Sequence, residues 1–198
     1  MYEYNYGWIP PVGRYYNDDI GFTRELIDKI KQQYTINSSR IYITGSSTGG
    51  FFSYSIGAYL PDEAAAIAPN AGAIGGRAYE SKPFSYIPNP EKPISVLSFH
   101  GTLDPYDGNE YIVSVNTSIS FWVEKNGCDP IPETNISESG KTIKRTYTNG
   151  ENQIEVVLYT MASWGHGWPT IGGNSEISAT DLIWEFFKAR PKQHTYEN

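Results

Sequence analysis

The sequence has 198 residues, enough to bury one sizeable core, and no stretch resembles a linker, so we expect residues 1–198 to form a single domain. The net charge is −7 and charged residues are dispersed at 19%, which excludes the basic stripe of a nucleic-acid-binding protein. Cys128 is the only cysteine, which excludes an intrachain disulfide, and no Cys/His cluster suggests zinc. We therefore expect no metal, no cofactor and no membrane-spanning segment.

The first half of the chain alternates helix and strand. Asp18 or Asp19 can cap a helix that runs to about Tyr34, and its apolar residues recur at the spacing of a helix lying on a sheet: Phe22, Leu26, Ile27 and Ile30. Residues 40–44 predict a strand that ends at Gly45, and residues 49–60 predict a helix that follows at once. After small residues at 64–68 and a loop through Pro90, residues 94–99 form a continuous apolar run, which is typical of a buried parallel strand.

The second half continues this alternation. Residues 111–126 predict a helix, residues 142–148 and 154–161 predict strands around an Asn149-Gly150 turn, and residues 175–190 predict a closing helix. The pattern predicts an α/β fold, a mostly parallel sheet with helices on both faces.

A G-x-S-x-G motif at residues 45–49 lies between a predicted strand and a predicted helix, with Ser47 at its centre. A nucleophile elbow requires small residues two before and two after the serine, and Gly45 and Gly49 meet that requirement, whereas Ser46 lacks such flanks. Because the turn starts a helix, the Thr48 N–H is the natural first oxyanion donor. A plain glycine-rich turn or a phosphate cradle would also use such a loop, but the lysine of a P-loop is missing.

An acid is expected at the end of the strand over residues 94–99, where His-Gly-Thr-Leu-Asp-Pro follows at residues 100–105. A serine needs an imidazole base, and the base needs a carboxylate, so Asp104 is the candidate acid. Asp107 is the reserve candidate, and a simple Asp-Pro turn is the alternative without catalytic meaning.

The candidate base is His166, which lies in the glycine-flanked run Gly-His-Gly-Trp-Pro at residues 165–169. Of the three histidines, His194 lies in a polar tail, and we expect His100 to support the Asp104 loop by hydrogen bonding. A loop histidine is often merely solvated, but serine, then acid, then histidine is the chain order of α/β-hydrolases.

These segments resemble the feruloyl esterase and polyhydroxybutyrate depolymerase group of α/β-hydrolases. The resemblance covers nearly the whole chain and rests on six runs of sequence: residues 18–22, 42–50, 100–104, 126–128, 165–169 and 179–187. It implies an α/β-hydrolase fold and a serine esterase with Ser47 as nucleophile, Asp104 as acid and His166 as base. The implied substrates are feruloyl or acetyl esters of plant cell-wall polysaccharides, and Trp164, Trp168 and Tyr106 could stack on a feruloyl ring or a sugar.

Other functions stay open for a chain of this kind. Prolyl-oligopeptidase-like peptidases share a similar elbow and acid loop, although Trp168-Pro169 after the histidine favours the esterases. A polyhydroxyalkanoate depolymerase and a non-catalytic carbohydrate-binding remnant of the same fold are the further alternatives.

The sequence departs from the family in two respects. Only 46 residues precede Ser47, so the usual N-terminal strands and the loop that donates the second oxyanion N–H are expected to be missing. Cys128, which in such relatives tends to be disulfide-bonded, has no partner. A complementing N-terminal segment, another subunit of a homo-oligomer or a rearranged loop over residues 2–16 would compensate.

Three glycosylation-type triplets begin at Asn37, Asn116 and Asn135. Together with the resemblance, they favour a secreted parent protein and an extracellular location, with an ester substrate as the partner and neither nucleic acid nor membrane.

Overall fold

The computed structural model describes residues 18–76, 85–150, 153–172 and 175–192. The loop over residues 2–16 and His194 lie outside the described residues. The helices within these ranges are α1 (Asp19–Gln33), α2 (Thr48–Tyr59), α3 (Val115–Lys125) and α4 (Ala179–Lys188). The strands are β1 (Tyr42–Ser46), β2 (Ala66–Asn70), β3 (Gly75–Gly76), β4 (Ser85–Tyr86), β5 (Ser95–Gly101), β6 (Glu133–Ile136), β7 (Thr142–Tyr147) and β8 (Val156–Met161).

Six of the described strands form one sheet in the order β1-β2-β5-β8-β7-β6. The first four are parallel neighbours, whereas β7 pairs antiparallel with β8 and β6 antiparallel with β7. The carboxyl ends of the parallel strands therefore meet at one edge of the sheet, where Asn70 lies in register with both Ser46 and Phe99. The predicted mostly parallel sheet is confirmed.

Helices cover both faces of this sheet. On one face Val96 belongs to the same buried cluster as Ile56 of α2 and Trp122 of α3, and on the other Leu97 belongs to a cluster with Phe187 of α4. Successive residues of a strand point to opposite faces, so both sides of β5 are enclosed and the strand is buried along its whole length. Residues 94–99 are mostly apolar because of this double burial, and the two serines among them, Ser95 and Ser98, are buried as well.

The first helix begins and ends as expected but packs differently. Asp18 caps α1 by accepting the Gly21 N–H at 2.8 Å. Of its apolar residues, only Ile27 is buried, while Phe22, Leu26 and Ile30 are exposed. The expectation that this apolar stripe lies on the sheet is therefore wrong. Helical spacing shows which residues share a face, but the neighbouring elements decide which face is covered.

Two further features differ from the sequence-based prediction: the third helix begins later than residue 111, and the additional strand β6 is present. The third helix begins at Val115 because Ser114 caps it, accepting the Thr117 N–H at 3.1 Å. The residues just before are held in a turn by Asn109 Oδ1, which accepts the N–H of Tyr111 and of Ile112. The sequence pattern does not predict β6, whose four residues are all exposed and carry no apolar alternation.

Candidate active site

Ser47 makes the whole turn between β1 and α2. The strand ends at Ser46 and the helix begins at Thr48. The Ser47 backbone has φ 57° and ψ −120°, a left-handed conformation that residues other than glycine rarely adopt. A serine held in this strained turn between strand and helix has the geometry of a nucleophile elbow.

The glycines around Ser47 differ in how much room the structure leaves for a side chain. A Cβ added to Gly45 would lie 2.6 Å from the carbonyl carbon of Gly49, and one added to Gly50 would lie 2.5 Å from the Asn70 carbonyl oxygen. A Cβ on Gly49 would meet nothing within 4 Å. A methyl group at Gly49 would thus fit, and the close approaches fall at Gly45 and Gly50 instead.

Thr48 is the first residue of α2, directly after the candidate nucleophile. Amides in the first turn of a helix have no acceptor within that helix, and the helix dipole favours negative charge near them. The Thr48 N–H thus has the place in the chain that an oxyanion donor requires.

Asp104 lies in a turn after β5, and only 1% of its side chain is exposed although its neighbours in the turn are exposed. Its Oδ1 accepts the Tyr106 N–H at 3.0 Å, and its Oδ2 lies 2.8 Å from Nδ1 of His166. Asp107, the reserve acid, accepts the Val115 N–H at 2.6 Å and thereby holds the start of α3. The structure thus brings Asp104, and not Asp107, against the candidate base.

The His166 loop is joined to the Asp104 loop through backbone contacts. The Leu103 N–H donates to the Trp164 carbonyl oxygen at 2.8 Å. A Cβ on Gly101 would lie 2.2 Å from that same oxygen, so only glycine allows the two loops to approach this closely. With Nδ1 of His166 facing Asp104, Nε2 is the nitrogen left for proton exchange with a nucleophile.

His100 is a second histidine near the Asp104 carboxylate. Its Nε2 is 3.5 Å from Asp104 Oδ2 and 3.7 Å from Asp107 Oδ1, yet both buried ring nitrogens are without a hydrogen-bond partner among the described residues. The expected hydrogen bond to the acid loop is thus not formed. Burial lowers the pKa of His100 below its ordinary value of 6.5, although the nearby Asp107 and Asp104 carboxylates oppose this effect. Burial therefore favours the neutral form of this imidazole.

The three aromatic candidates for substrate contact have different surroundings. The Tyr106 ring is 50% exposed and lies edge-on to the His166 ring, with 4.8 Å between their centroids. Trp164 and Trp168 pack against the core on the α4 face, and their indole N–H groups donate to the Gly167 carbonyl oxygen and the Thr180 hydroxyl. Both tryptophans thus help to hold the loop, and Tyr106 is the most exposed of the three.

Sequence reasoning missed one residue at this edge of the sheet. Asn70 is the last residue of β2, it is 1% exposed, and its carbonyl oxygen accepts the Ser47 N–H at 3.0 Å. The sequence did contain a signal for this residue, because the polar Asn70 ends a run of small and apolar residues.

The described residues contain neither a metal-binding cluster nor a membrane-spanning helix. In the described ranges, no group of three or more His, Cys, Asp or Glu side chains is arranged to hold a metal ion. No helix in the same part of the chain is both long and apolar enough to cross a bilayer.

Ser47, Asp104 and His166 follow β1, β5 and β8, which are parallel strands of one mixed sheet, in the chain order of α/β-hydrolases. The chain has the α/β-hydrolase fold. An acetyl xylan esterase from Aspergillus awamori has a similar structure, with a TM-score of 0.58 at 14% identity over 85% of this chain and 67% of that chain. This likeness shows the shared fold.

Sequence comparison shows which proteins of the α/β-hydrolase class this chain resembles. No family model matches the chain. Feruloyl esterase B of Piromyces equi is 30% identical over 161 residues, which are 75% of this chain and 29% of that protein. Feruloyl esterase C of Emericella nidulans is 26% identical over 192 residues, which are 93% of this chain and 62% of that protein. The predicted resemblance to feruloyl esterases is confirmed, and the chain spans less than two thirds of the length of these relatives.

Proposed function

We propose that the chain is a serine carboxylic-ester hydrolase that acts on feruloyl or acetyl esters of plant cell-wall polysaccharides. The observation that carries the proposal is the 2.8 Å contact between His166 Nδ1 and the buried Asp104 carboxylate, at the edge of the sheet where Ser47 makes its strained turn. The similarity to two feruloyl esterases and the fold shared with an acetyl xylan esterase support the choice of substrate class.

Acylation uses all three residues. His166 Nε2 accepts the hydroxyl proton of Ser47 as Oγ bonds to the ester carbonyl carbon, and Asp104 stabilises the imidazolium that forms. The carbonyl oxygen becomes an oxyanion near the Thr48 N–H, a type of contact whose loss costs roughly 10²–10³ in rate. When the intermediate collapses, the bond from carbon to the alcohol oxygen breaks, and that oxygen takes the proton from His166.

Deacylation repeats the same steps with water. His166 accepts a proton from the water as its oxygen attacks the acyl carbon of the ester formed on Ser47. The bond to Ser47 Oγ then breaks, Oγ recovers its proton from His166, and the carboxylic acid leaves. Only the ester and water are consumed, and all three side chains return to their starting state.

The first experiment compares hydrolysis of methyl ferulate and p-nitrophenyl acetate by the unaltered chain, Ser47→Ala and Ser55→Ala. Ser55 is a matched control, because it is a buried serine of α2 whose hydroxyl donates only to the Phe51 carbonyl within the helix. We expect Ser47→Ala to be inactive and Ser55→Ala to stay active. Mass spectrometry after treatment with an organophosphonate should place the label on Ser47. Activity that persists in Ser47→Ala would overturn the proposal.

The same preparation separates the alternatives. Release of hydroxybutyrate from polyhydroxybutyrate, or cleavage of peptide substrates in preference to esters, would indicate a depolymerase or a peptidase. Binding to xylan that persists in Ser47→Ala, with no hydrolysis by the unaltered chain, would indicate a carbohydrate-binding remnant of the fold.

We propose that a partner strand, from a second copy in a homo-oligomer or from a complementing segment, pairs with the outer edge of β1. Within the described residues, β1 pairs only with β2, which leaves one row of its backbone groups without a strand. Light scattering over a range of protein concentrations tests the homo-oligomer. A monomer with full specific activity would overturn it.

An extracellular location is proposed for the same protein. The three triplet asparagines, Asn37, Asn116 and Asn135, are all exposed, as glycan attachment requires. Expression in a secreting eukaryotic host, followed by glycosidase treatment, should reveal a mass shift that an Asn→Gln change at each site removes. An unglycosylated secreted product would remove this support.

A further inference from the structure

A single buried side chain connects the loop that holds Ser47 to the loop that holds His166. Nδ2 of Asn70 donates to Ser46 Oγ at 2.7 Å and to the Gly167 carbonyl oxygen at 3.2 Å. Ser46 directly precedes the candidate nucleophile, and Gly167 directly follows the candidate base. The two segments are far apart in the sequence, so the Asn70 amide forms a short link between them.

The surroundings fix the orientation of this amide. If the amide were turned over, Oδ1 would face the Gly167 carbonyl oxygen, and two acceptors would meet. The observed orientation places both N–H groups of Nδ2 toward oxygen atoms. It leaves Oδ1 buried and without a hydrogen-bond partner among the described residues.

Stability alone does not account for an asparagine at this position. A buried acceptor without a partner destabilises the folded state, and an apolar side chain of similar shape would avoid that penalty. Such unsatisfied groups in folded proteins call for a reason other than packing. The position of this one, between the two candidate catalytic loops, suggests that the reason is functional.

We propose that Asn70 is a positioning residue that sets the distance between Ser47 and His166. This inference rests on the proposed esterase function. The imidazole is held on one side by Asp104, through the 2.8 Å contact at Nδ1. Without the hydrogen bond from Asn70 to Gly167, the loop is no longer tied to the elbow on this side and can pivot about the Asp104 contact, which moves Nε2 relative to the Ser47 hydroxyl. A displacement of about 1 Å in a catalytic group can cost roughly 10²-fold in rate.

Trp164 contributes to the same arrangement from the other side. Its indole N–H also donates to the Gly167 carbonyl oxygen, at 3.1 Å. Trp164 belongs to the histidine loop itself, so its hydrogen bond shapes that loop but does not tie it to the elbow. Asn70 makes both connections, because its backbone carbonyl accepts the Ser47 N–H while its side chain reaches Ser46 and Gly167.

The test uses Asn70→Ser and Asn70→Leu, with Asn126→Ser as a matched control. Asn126 is also a fully buried asparagine bonded to backbone, but its partner is Ile94, at the opposite end of β5 from the candidate site. Rates for p-nitrophenyl acetate are normalised to the fraction of protein that an organophosphonate titrates, so that unfolded protein does not count.

We expect both Asn70 variants to lose about 10- to 100-fold in kcat with little change in KM, because Asn70 holds the catalytic groups rather than the substrate. The Asn126→Ser variant should lower the melting temperature while keeping kcat within about 3-fold. Unchanged kcat in the Asn70 variants, or equal losses in all three variants, would overturn the positioning role alone. An unaltered chain that is neither active nor labelled at Ser47 would overturn the proposed function, and the positioning role with it.

Discussion

Nδ1 of His166 lies 2.8 Å from Oδ2 of Asp104, and the carboxylate that makes this contact is almost completely buried. The backbone N–H of Tyr106 occupies the other carboxylate oxygen. One oxygen is therefore held by the chain and the other faces the imidazole, which fixes the ring orientation and the tautomer with a proton on Nδ1.

Replacing the acid tests this relationship. We expect Asp104→Asn to lower kcat by on the order of 10³–10⁴-fold, because a carboxamide can present an N–H to Nδ1 and favour the wrong tautomer. The matched change is Asp107→Asn, which keeps the oxygen that accepts the Val115 N–H. We expect that variant to lose less than about 10-fold, because Asp107 does not contact His166. A larger loss in Asp107→Asn than in Asp104→Asn would reverse the assignment of the acid.

The turn at Ser47 gives a second matched pair, Gly45→Ala and Gly49→Ala. A methyl group on Gly45 would overlap the Gly49 backbone at 2.6 Å, so we expect a loss of about 1–3 kcal/mol in unfolding free energy together with loss of activity. A methyl group on Gly49 meets nothing within 4 Å, and alanine is the better helix former, so we expect stability to stay the same or rise by up to about 1 kcal/mol.

Thermal melts and ester hydrolysis of the two glycine variants provide the measurement. Equal destabilisation by both changes would contradict the close approach at Gly45. A stable and fully active Gly45→Ala variant would contradict the tight elbow itself.

Features that depend on neighbouring residues in the chain were predictable from the sequence. The run from β1 through Ser47 into α2 is one, because the apolar strand, the glycine-rich turn and the helix follow each other without interruption. The positions of Asp104 and His166 at strand ends are another, since parallel strands place such loops at a common edge of the sheet.

Features that depend on distant contacts were not predictable. The Asn70 amide reaches partners 24 and 97 residues away, so its environment exists only once β2 lies beside β1 and the histidine loop closes over both. The exposed face of α1 was not predictable for the same reason. Spacing shows that Leu26 and Ile30 lie on one stripe of the helix, but it does not show whether another element covers that stripe. The sheet register and the packing of loops decide such details.

Because His100 is buried, we expect the stability of the folded protein to depend on pH. Its pKa is lowered by burial in the folded protein, so the unfolded chain binds more protons near the ordinary value of 6.5. The free energy of unfolding should therefore fall as the pH drops below about 6.5, and part of this loss should be absent in His100→Phe.

Urea unfolding of the unaltered chain and of His100→Phe at pH 7.5 and at pH 5 measures the difference. Three titratable groups face this imidazole, Asp104, Asp107 and His166, and they are present in both proteins. Parallel losses of stability in the two proteins would show that His100 does not contribute.

Tyr106 is the residue through which the acyl specificity can be tested without disturbing the acid. Its ring is half exposed beside His166, whereas its contact with Asp104 comes from the backbone N–H, which Tyr106→Ala retains.

An aromatic pair contributes about 0.5–1.5 kcal/mol beyond burial, so we expect Tyr106→Ala to lower kcat/KM for methyl ferulate about 3- to 10-fold. The value for ethyl acetate, which has no ring to stack, should change less than about 2-fold. Tyr34→Ala removes another exposed tyrosine, just after α1, and serves as the control for both substrates. Equal losses on the two esters in Tyr106→Ala would show that the ring supports the histidine and does not select the acyl group.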